Sequence, residues 1–99
     1  MPELLTDDAI EQALGETTGW QRDGRELVRT VELASFPTAI EVVDKVAEVA
    51  ERADHHPDID IRWRTLTFRC STHSAGGLTA ADLALAKQIN QILDAAPKP

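Results

Sequence analysis

The chain has 99 residues and a formal net charge of −7, from 17 acidic and 10 basic side chains. This length predicts one domain, spanning residues 1–99, with a single modest core. An acidic chain repels phosphate backbones, so we expect no nucleic-acid binding. No apolar run is long enough to cross a bilayer, and the N-terminal residues lack the pattern of a signal peptide. We therefore expect a cytoplasmic protein with no membrane association.

The first third of the chain predicts a helix followed by a β-hairpin. Thr6 is the expected N-cap of the helix, because two aspartates follow it in the first turn. Gly15 is expected to end this helix. Asp23-Gly24 predicts a two-residue hairpin turn, and apolar residues alternate with polar ones from about residue 25 to 34. That alternation predicts a strand with one buried face.

A second helix is predicted from about Pro37 to Arg52 or Ala53, because proline is favoured at the first helical position. Ser35 or Phe36 is the residue that precedes this helix. Apolar residues recur at three- and four-residue steps, which is typical of a helix that packs on a sheet. The predicted core face consists of Ile40, Val43, Val46, Ala47 and Ala50.

Residues 59–72 favour β structure, with a change of apolar parity near Trp63. A single strand of that length is unusual in so small a domain, so we predict a tight hairpin in which the numbers of facing residues sum to about 127. His55 and His73 would then lie at the same open end. Thr79 and Asp82 resemble a capping box at the start of a third helix, which we expect to reach about Ala95, followed by a flexible tail at 97–99.

These elements predict an α+β fold of order α-β-β-α-β-β-α, with three helices packed on one face of a four-stranded antiparallel sheet. One end of this fold collects the end of the second helix, the open end of the second hairpin and the start of the third helix.

All three histidines, His55, His56 and His73, lie in this region of the fold. Histidine titrates near neutrality, so an acid–base cluster, a metal site and ordinary surface histidines are all open hypotheses. Adjacent residues of an extended segment point in opposite directions, and Cys70 is the only cysteine, so we predict no metal site. Cys70 is expected to be a small buried hydrophobe. Asp82 is expected to cap its helix or to orient a histidine.

The two tryptophans, Trp20 and Trp63, are expected in the core or in a subunit interface. The carboxylates of Asp54, Asp58 and Asp60 are expected to be surface charges. Three further motifs stand out as a set: Glu51-x-x-x-His55-His56-Pro57, then Ser71-Thr72-His73, then Gly77-Leu78-Thr79-x-x-Asp82.

On these motifs the chain resembles the pterin-4a-carbinolamine dehydratase family over nearly its whole length. The resemblance implies dehydration of a 4a-hydroxytetrahydropterin to the quinonoid dihydropterin, in the recycling of the pterin used by aromatic amino acid hydroxylases, with no metal or other cofactor. It also implies a homodimer or homotetramer. By position, His55 and His73 match the family's acid–base histidines, and His56 matches the catalytic-site histidine that chiefly positions the substrate. Four further positions match substrate-binding residues: Glu51, Pro57, Thr72 and Asp82.

The chain departs from the family pattern at two aromatic positions. Ile59 stands where tryptophan is frequent, and Trp63 stands where tyrosine is common. Two alternatives to the dehydratase stay open. Some animal members resembling this chain act as dimerisation cofactors of a homeodomain transcription factor, which suggests a non-catalytic interaction module. A similar fold could also act on another pterin, such as one linked to molybdopterin metabolism.

Overall fold

The fold of residues 3–99 is described by a computed structural model, and its elements follow the predicted α+β order. No helix in this part of the chain has both the length and the apolar character needed to cross a membrane. In chain order the elements are α1 (Asp7–Glu16), β1 (Gln21–Asp23), β2 (Glu26–Glu32), α2 (Phe36–Ala53), β3 (Asp58–Arg62), β4 (Thr65–Cys70), a 3-10 turn (His73–Ala75) and α3 (Ala80–Ala95).

The four strands form one antiparallel sheet in the order β1-β2-β4-β3. Side chains alternate across a sheet, and in β4 the alternate residues Leu66, Phe68 and Cys70 are completely buried. They form one core with apolar side chains of the helices, including Val46 of α2 and Ile89 of α3. The core therefore lies between the sheet and its three helices.

The β3–β4 hairpin has the predicted register, because Asp58 faces Arg69 and Arg62 faces Thr65. Two residues, Trp63 and Arg64, form its turn. Trp63 adopts a left-handed backbone with φ of 54°, and its side chain is 69% exposed. The core alternative for Trp63 was therefore wrong, because a residue at the tip of a two-residue turn cannot reach the core. The core alternative for Trp20 is confirmed, since Trp20 is only 5% exposed.

Two predicted turns are displaced along the chain. Helix α1 continues through Gly15 to Glu16, and the residue that takes a left-handed backbone before the sheet is Gly19, with φ of 88°. A Cβ at Gly19 would lie 2.8 Å from Nε of Arg29, at the flexible end of that side chain, so it is the positive φ that favours glycine there. In the first hairpin Asp23 pairs with Glu26, so the turn is Gly24–Arg25, with only Gly24 at positive φ.

The buried face of α2 agrees with the predicted one only in part. Val46 and Ala50 are buried as predicted, together with Ala39 and Val42, whereas Ala47 is exposed. Apolar residues cover more than half of this helix, so their spacing alone does not decide which row faces the core. The N-cap predicted at Thr6 is confirmed, because its side chain accepts the backbone N–H of Ala9 at 3.1 Å. At the start of α2, which begins one residue earlier than predicted, the side chain of Ser35 accepts the backbone N–H of Thr38 at 3.2 Å.

Candidate active site

Asp82 is a completely buried carboxylate at the N-terminus of α3, and it accepts three hydrogen bonds. Its Oδ2 accepts the backbone N–H of Thr79 at 2.9 Å and the hydroxyl of Thr72 at 2.8 Å. Its Oδ1 lies 2.6 Å from Nε2 of His55. The first contact completes a capping box with Thr79. Asp82 therefore both caps the helix and orients a histidine.

His55 reaches Asp82 because the chain leaves α2 through a sharp bend. Asp54 takes a left-handed backbone with φ of 50°, and the His55 N–H still donates to the carbonyl of Ala50 at 3.0 Å. The side chain of His55 is only 15% exposed. A carboxylate can only accept hydrogen bonds, so Nε2 of a neutral His55 has the hydrogen and Nδ1 keeps the lone pair. The geometry thus assigns one tautomer to His55.

His56 diverges from His55 and contacts a different carboxylate. Its Nε2 lies 2.8 Å from Oε1 of Glu51, on the last turn of α2. The two side chains are 58% and 82% exposed, and so exposed a pair contributes little to stability. Glu51 therefore positions the His56 ring at the surface, next to Pro57, rather than holding the fold together.

His73 lies on the exposed 3-10 turn directly after Thr72. It lines a cleft of about 470 Å³ together with Arg25, Glu26, Asp58, Ser71, Gly76 and Gly77, which we call the His73 cleft. His55 and His56 do not line this cleft. His55 is linked to the residue next to His73 through Asp82, because the Thr72 hydroxyl donates to the same carboxylate that His55 contacts. His56 contacts Glu51 instead. The chain thus brings the matched residues to one end of the sheet, but as two groups rather than one.

Cys70 ends β4 beneath this region and is completely buried. Burial first, and then the nearby carboxylates of Asp82, Asp58 and Glu26, raise the pKa of the Cys70 thiol to about 12. The thiol is therefore protonated at neutral pH and is no nucleophile. The prediction of a small buried hydrophobe is confirmed.

Residues 3–99 contain no group of three or more His, Cys, Asp or Glu side chains arranged to hold a metal ion. Arg25 and Glu26 line the His73 cleft but were not predicted from the sequence. Asp58 is exposed, as predicted for a surface charge, and it also lines this cleft. Glu26 reaches it because β2 and β3 both flank β4 in the sheet.

Comparison with known proteins identifies the family. The sequence profile described as pterin 4 alpha carbinolamine dehydratase matches residues 3–92. The chain belongs to the pterin-4a-carbinolamine dehydratase family. A family relative from Nocardia farcinica, provisionally named a pterin-4-alpha-carbinolamine dehydratase, is 61% identical over 90 residues, which are 91% of this chain and 95% of the relative. A relative from Roseiflexus castenholzii with the same provisional name is 56% identical over 93 residues, covering 94% of this chain and all of that protein (100%).

Solved structures give the same result for the fold of this family member. The crystal structure of a transcriptional coactivator/pterin dehydratase from Brucella melitensis matches with a TM-score of 0.87 and 33% identity, over 91% of this chain and 98% of that one. A pterin dehydratase-like protein that is a RuBisCO assembly factor in the alpha-carboxysome matches with a TM-score of 0.61 and 18% identity, over 74% of this chain and 84% of that one. The second likeness concerns the fold alone.

Proposed function

We propose that this chain dehydrates 4a-hydroxytetrahydropterin to the quinonoid dihydropterin and water, by histidine acid–base catalysis. Membership of the family supports the reaction class. The observation that supports the chemistry most directly is the buried Asp82 carboxylate between Thr72, Thr79 and His55. A buried carboxylate that fixes one histidine tautomer is what a proton-transfer site needs.

The reaction breaks the N5–H and C4a–O bonds of the substrate and forms the C4a=N5 double bond. A base takes the proton on N5, and the electron pair of the N5–H bond becomes the second bond between N5 and C4a. The C4a–O electron pair leaves with the hydroxyl oxygen, which takes a proton from an acid and departs as water. No net oxidation or reduction occurs, so one base and one acid are sufficient.

In our proposal one of His55 and His73 is the base and the other is the acid. Asp82 holds His55 with Nδ1 as the proton acceptor or, when protonated, the donor. His73 acts from the wall of its cleft. His56, oriented by Glu51, binds and positions the pterin beside Pro57. Thr72 fixes the second oxygen of Asp82 and thereby the geometry of the site.

The test is stopped-flow absorbance of 4a-hydroxytetrahydrobiopterin decay, with the uncatalysed decay in the same buffer as reference. We expect clear acceleration by the wild-type chain. His55→Ala and His73→Ala should each lower the enzymatic rate about 100- to 10,000-fold, the range in which a general acid or base usually contributes. Thr30→Val is the control: it removes a hydroxyl that contacts only Thr67 across the sheet and should leave the rate unchanged.

Two results would contradict this proposal. If a folded wild-type chain does not accelerate the decay, the function is an interaction role or a reaction with another pterin, such as one linked to molybdopterin metabolism. If both histidine variants keep near-normal rates with intact circular dichroism spectra, the chain is a dehydratase but the roles of these residues are wrong.

The same proposal includes a cytoplasmic location, an aromatic amino acid hydroxylase as the source of substrate, and a homodimer or homotetramer. Self-association is supported by the exposed apolar side chains of Ile61 and Trp63, which are 42% and 69% exposed. They lie on and directly after β3, an edge strand of the sheet, and such edges tend to pair with other chains. Sedimentation equilibrium would measure the mass, and a purely monomeric chain at micromolar concentration would refute this part.

A further inference from the structure

A second cleft lies directly beside the His73 cleft, and the two share Arg25, Gly76 and Gly77. The second cleft has a volume of about 450 Å³, nearly that of the His73 cleft at about 470 Å³. We call it the Leu78 cleft, after the residue that follows the shared glycines. A space of this size is larger than a short three-carbon pterin substituent needs, so its lining indicates what else would fit.

The boundary between the two clefts has no side-chain wall at Gly76. A Cβ at Gly76 would meet no atom within 4 Å, so this residue faces open space. Its φ of 77° is a conformation in which other residues are strained. A ligand in the His73 cleft can therefore extend past Gly76 without meeting a side chain there.

The two clefts differ in chemistry. The His73 cleft presents the carboxylates of Glu26 and Asp58, which suit the amino and N–H donors of a pterin ring. The lining of the Leu78 cleft is mixed: it combines Arg22 and Arg25 with apolar side chains that include Leu4 and Leu5, whereas Leu78 itself is only 3% exposed. Leu4 is 56% exposed, so it presents apolar surface to any ligand in this cleft.

Arg25 lies where the two clefts meet, and its guanidinium forms no salt bridge with another described residue. Among residues 3–99 it takes part in none of the salt bridges, which all involve other arginines or histidines. Arg22, the other arginine of the Leu78 cleft, is paired with Asp7 at 2.8 Å. A guanidinium that has no salt bridge and lies beside apolar surface can bind a carboxylate at the end of an apolar group.

We infer that the Leu78 cleft receives an extended pterin substituent, with an apolar or aromatic segment against Leu4 and Leu5 and a terminal carboxylate on Arg25. This inference rests on the proposed function, because the pterin ring must occupy the His73 cleft. It assigns the substrate class: pterins with a long carboxylated side chain are preferred over pterins with a short neutral one. A compact phosphate attached close to the ring would leave the apolar lining unused.

The test compares the dissociation constants of three stable probes by fluorescence titration. 7,8-Dihydrofolate has an aromatic segment that ends in carboxylates, 7,8-dihydrobiopterin has a short neutral chain, and 6-hydroxymethyl-7,8-dihydropterin diphosphate has a compact anion. We expect dihydrofolate to bind most tightly. Arg25→Gln should weaken dihydrofolate binding about tenfold more than it weakens dihydrobiopterin binding, the scale of one charge-assisted hydrogen bond partly exposed to water.

Arg62→Gln is the matched control, because Arg62 lies at the far end of the β3–β4 hairpin and pairs only with Asp60. It should preserve the preference for dihydrofolate. The inference is overturned if dihydrofolate and dihydrobiopterin bind equally, if the diphosphate binds best, or if Arg25→Gln leaves the preference intact. Equal binding together with catalysed dehydration would refute only this inference, whereas no pterin binding and no catalysis would refute the proposed function as well.

Discussion

Replacing Asp82 by asparagine should separate its catalytic role from its structural role. Asparagine has nearly the same shape, and its oxygen can still accept the hydroxyl of Thr72 and the N–H of Thr79, which both contact Oδ2 of Asp82. Its amino group would then face Nε2 of His55, where Oδ1 now lies at 2.6 Å. An NH₂ group donates, so Nε2 must become the acceptor and the hydrogen must move to Nδ1. The variant therefore inverts the His55 tautomer.

The expected magnitudes differ strongly between rate and stability. An inverted tautomer should lower the dehydration rate about 1,000- to 10,000-fold, the scale found when a histidine base is held in the wrong tautomer. The free energy of unfolding should fall by only about 1 to 2 kcal/mol, because the hydrogen bonds persist without their charge. Asp82→Ala should cost about 3 kcal/mol, since it removes the helix cap and leaves the buried Thr79 N–H unpaired.

Three measurements check this prediction: stopped-flow decay of 4a-hydroxytetrahydrobiopterin, urea unfolding, and nitrogen-15 NMR of the imidazole rings to identify the protonated nitrogen of His55. Asp8→Asn is the control, because Asp8 is an exposed first-turn aspartate of α1 whose replacement should change neither rate nor stability appreciably. A full rate in Asp82→Asn, or a hydrogen still on Nε2 of His55, would show that the tautomer argument is wrong.

Two further predictions concern Cys70 and metals. Burial raises the pKa of the Cys70 thiol from 9.0 to about 12 in the folded chain. The contribution of this thiol to the free energy of unfolding is therefore fully present below pH 9. It is lost as the pH rises toward 12, by at most about 1.4 kcal/mol per pH unit. Cys70→Ala should remove that decline in urea unfolding at successive pH values; equal slopes in both proteins would contradict it. Dialysis against EDTA should leave the dehydration rate unchanged, and a loss that zinc restores would establish a metal site instead.

Much of the fold could be predicted because its signals are local. The N-caps Thr6, Ser35 and Thr79 each satisfy backbone N–H groups within three residues, so short sequence patterns determine them. The register of the β3–β4 hairpin followed from the parity change near Trp63. By contrast, contacts with other elements decide which face of α2 points to the core. Because α2 has many apolar residues, several rotations of this helix about its axis would each bury an apolar face.

The site could be predicted only in part for a related reason. The histidines and Asp82 lie in motifs along one segment, and the hairpin register brings that segment's ends together. Arg25 and Glu26 lie on a different hairpin and reach the His73 cleft only through the order of the strands. Strand order is a tertiary property that single-sequence patterns do not encode, so these residues were missed.

The contrast between the two tryptophans gives the molecule two separate optical reporters. Trp20 is buried, and its indole N–H donates to Oδ1 of Asn90 at 2.8 Å, whereas Trp63 stands in solvent at the hairpin tip. Iodide should quench the emission of Trp63 and spare that of Trp20. A Trp63→Phe chain would then report, through Trp20 alone, whether α3 stays docked on the sheet while ligands occupy the clefts at the opposite end of that helix.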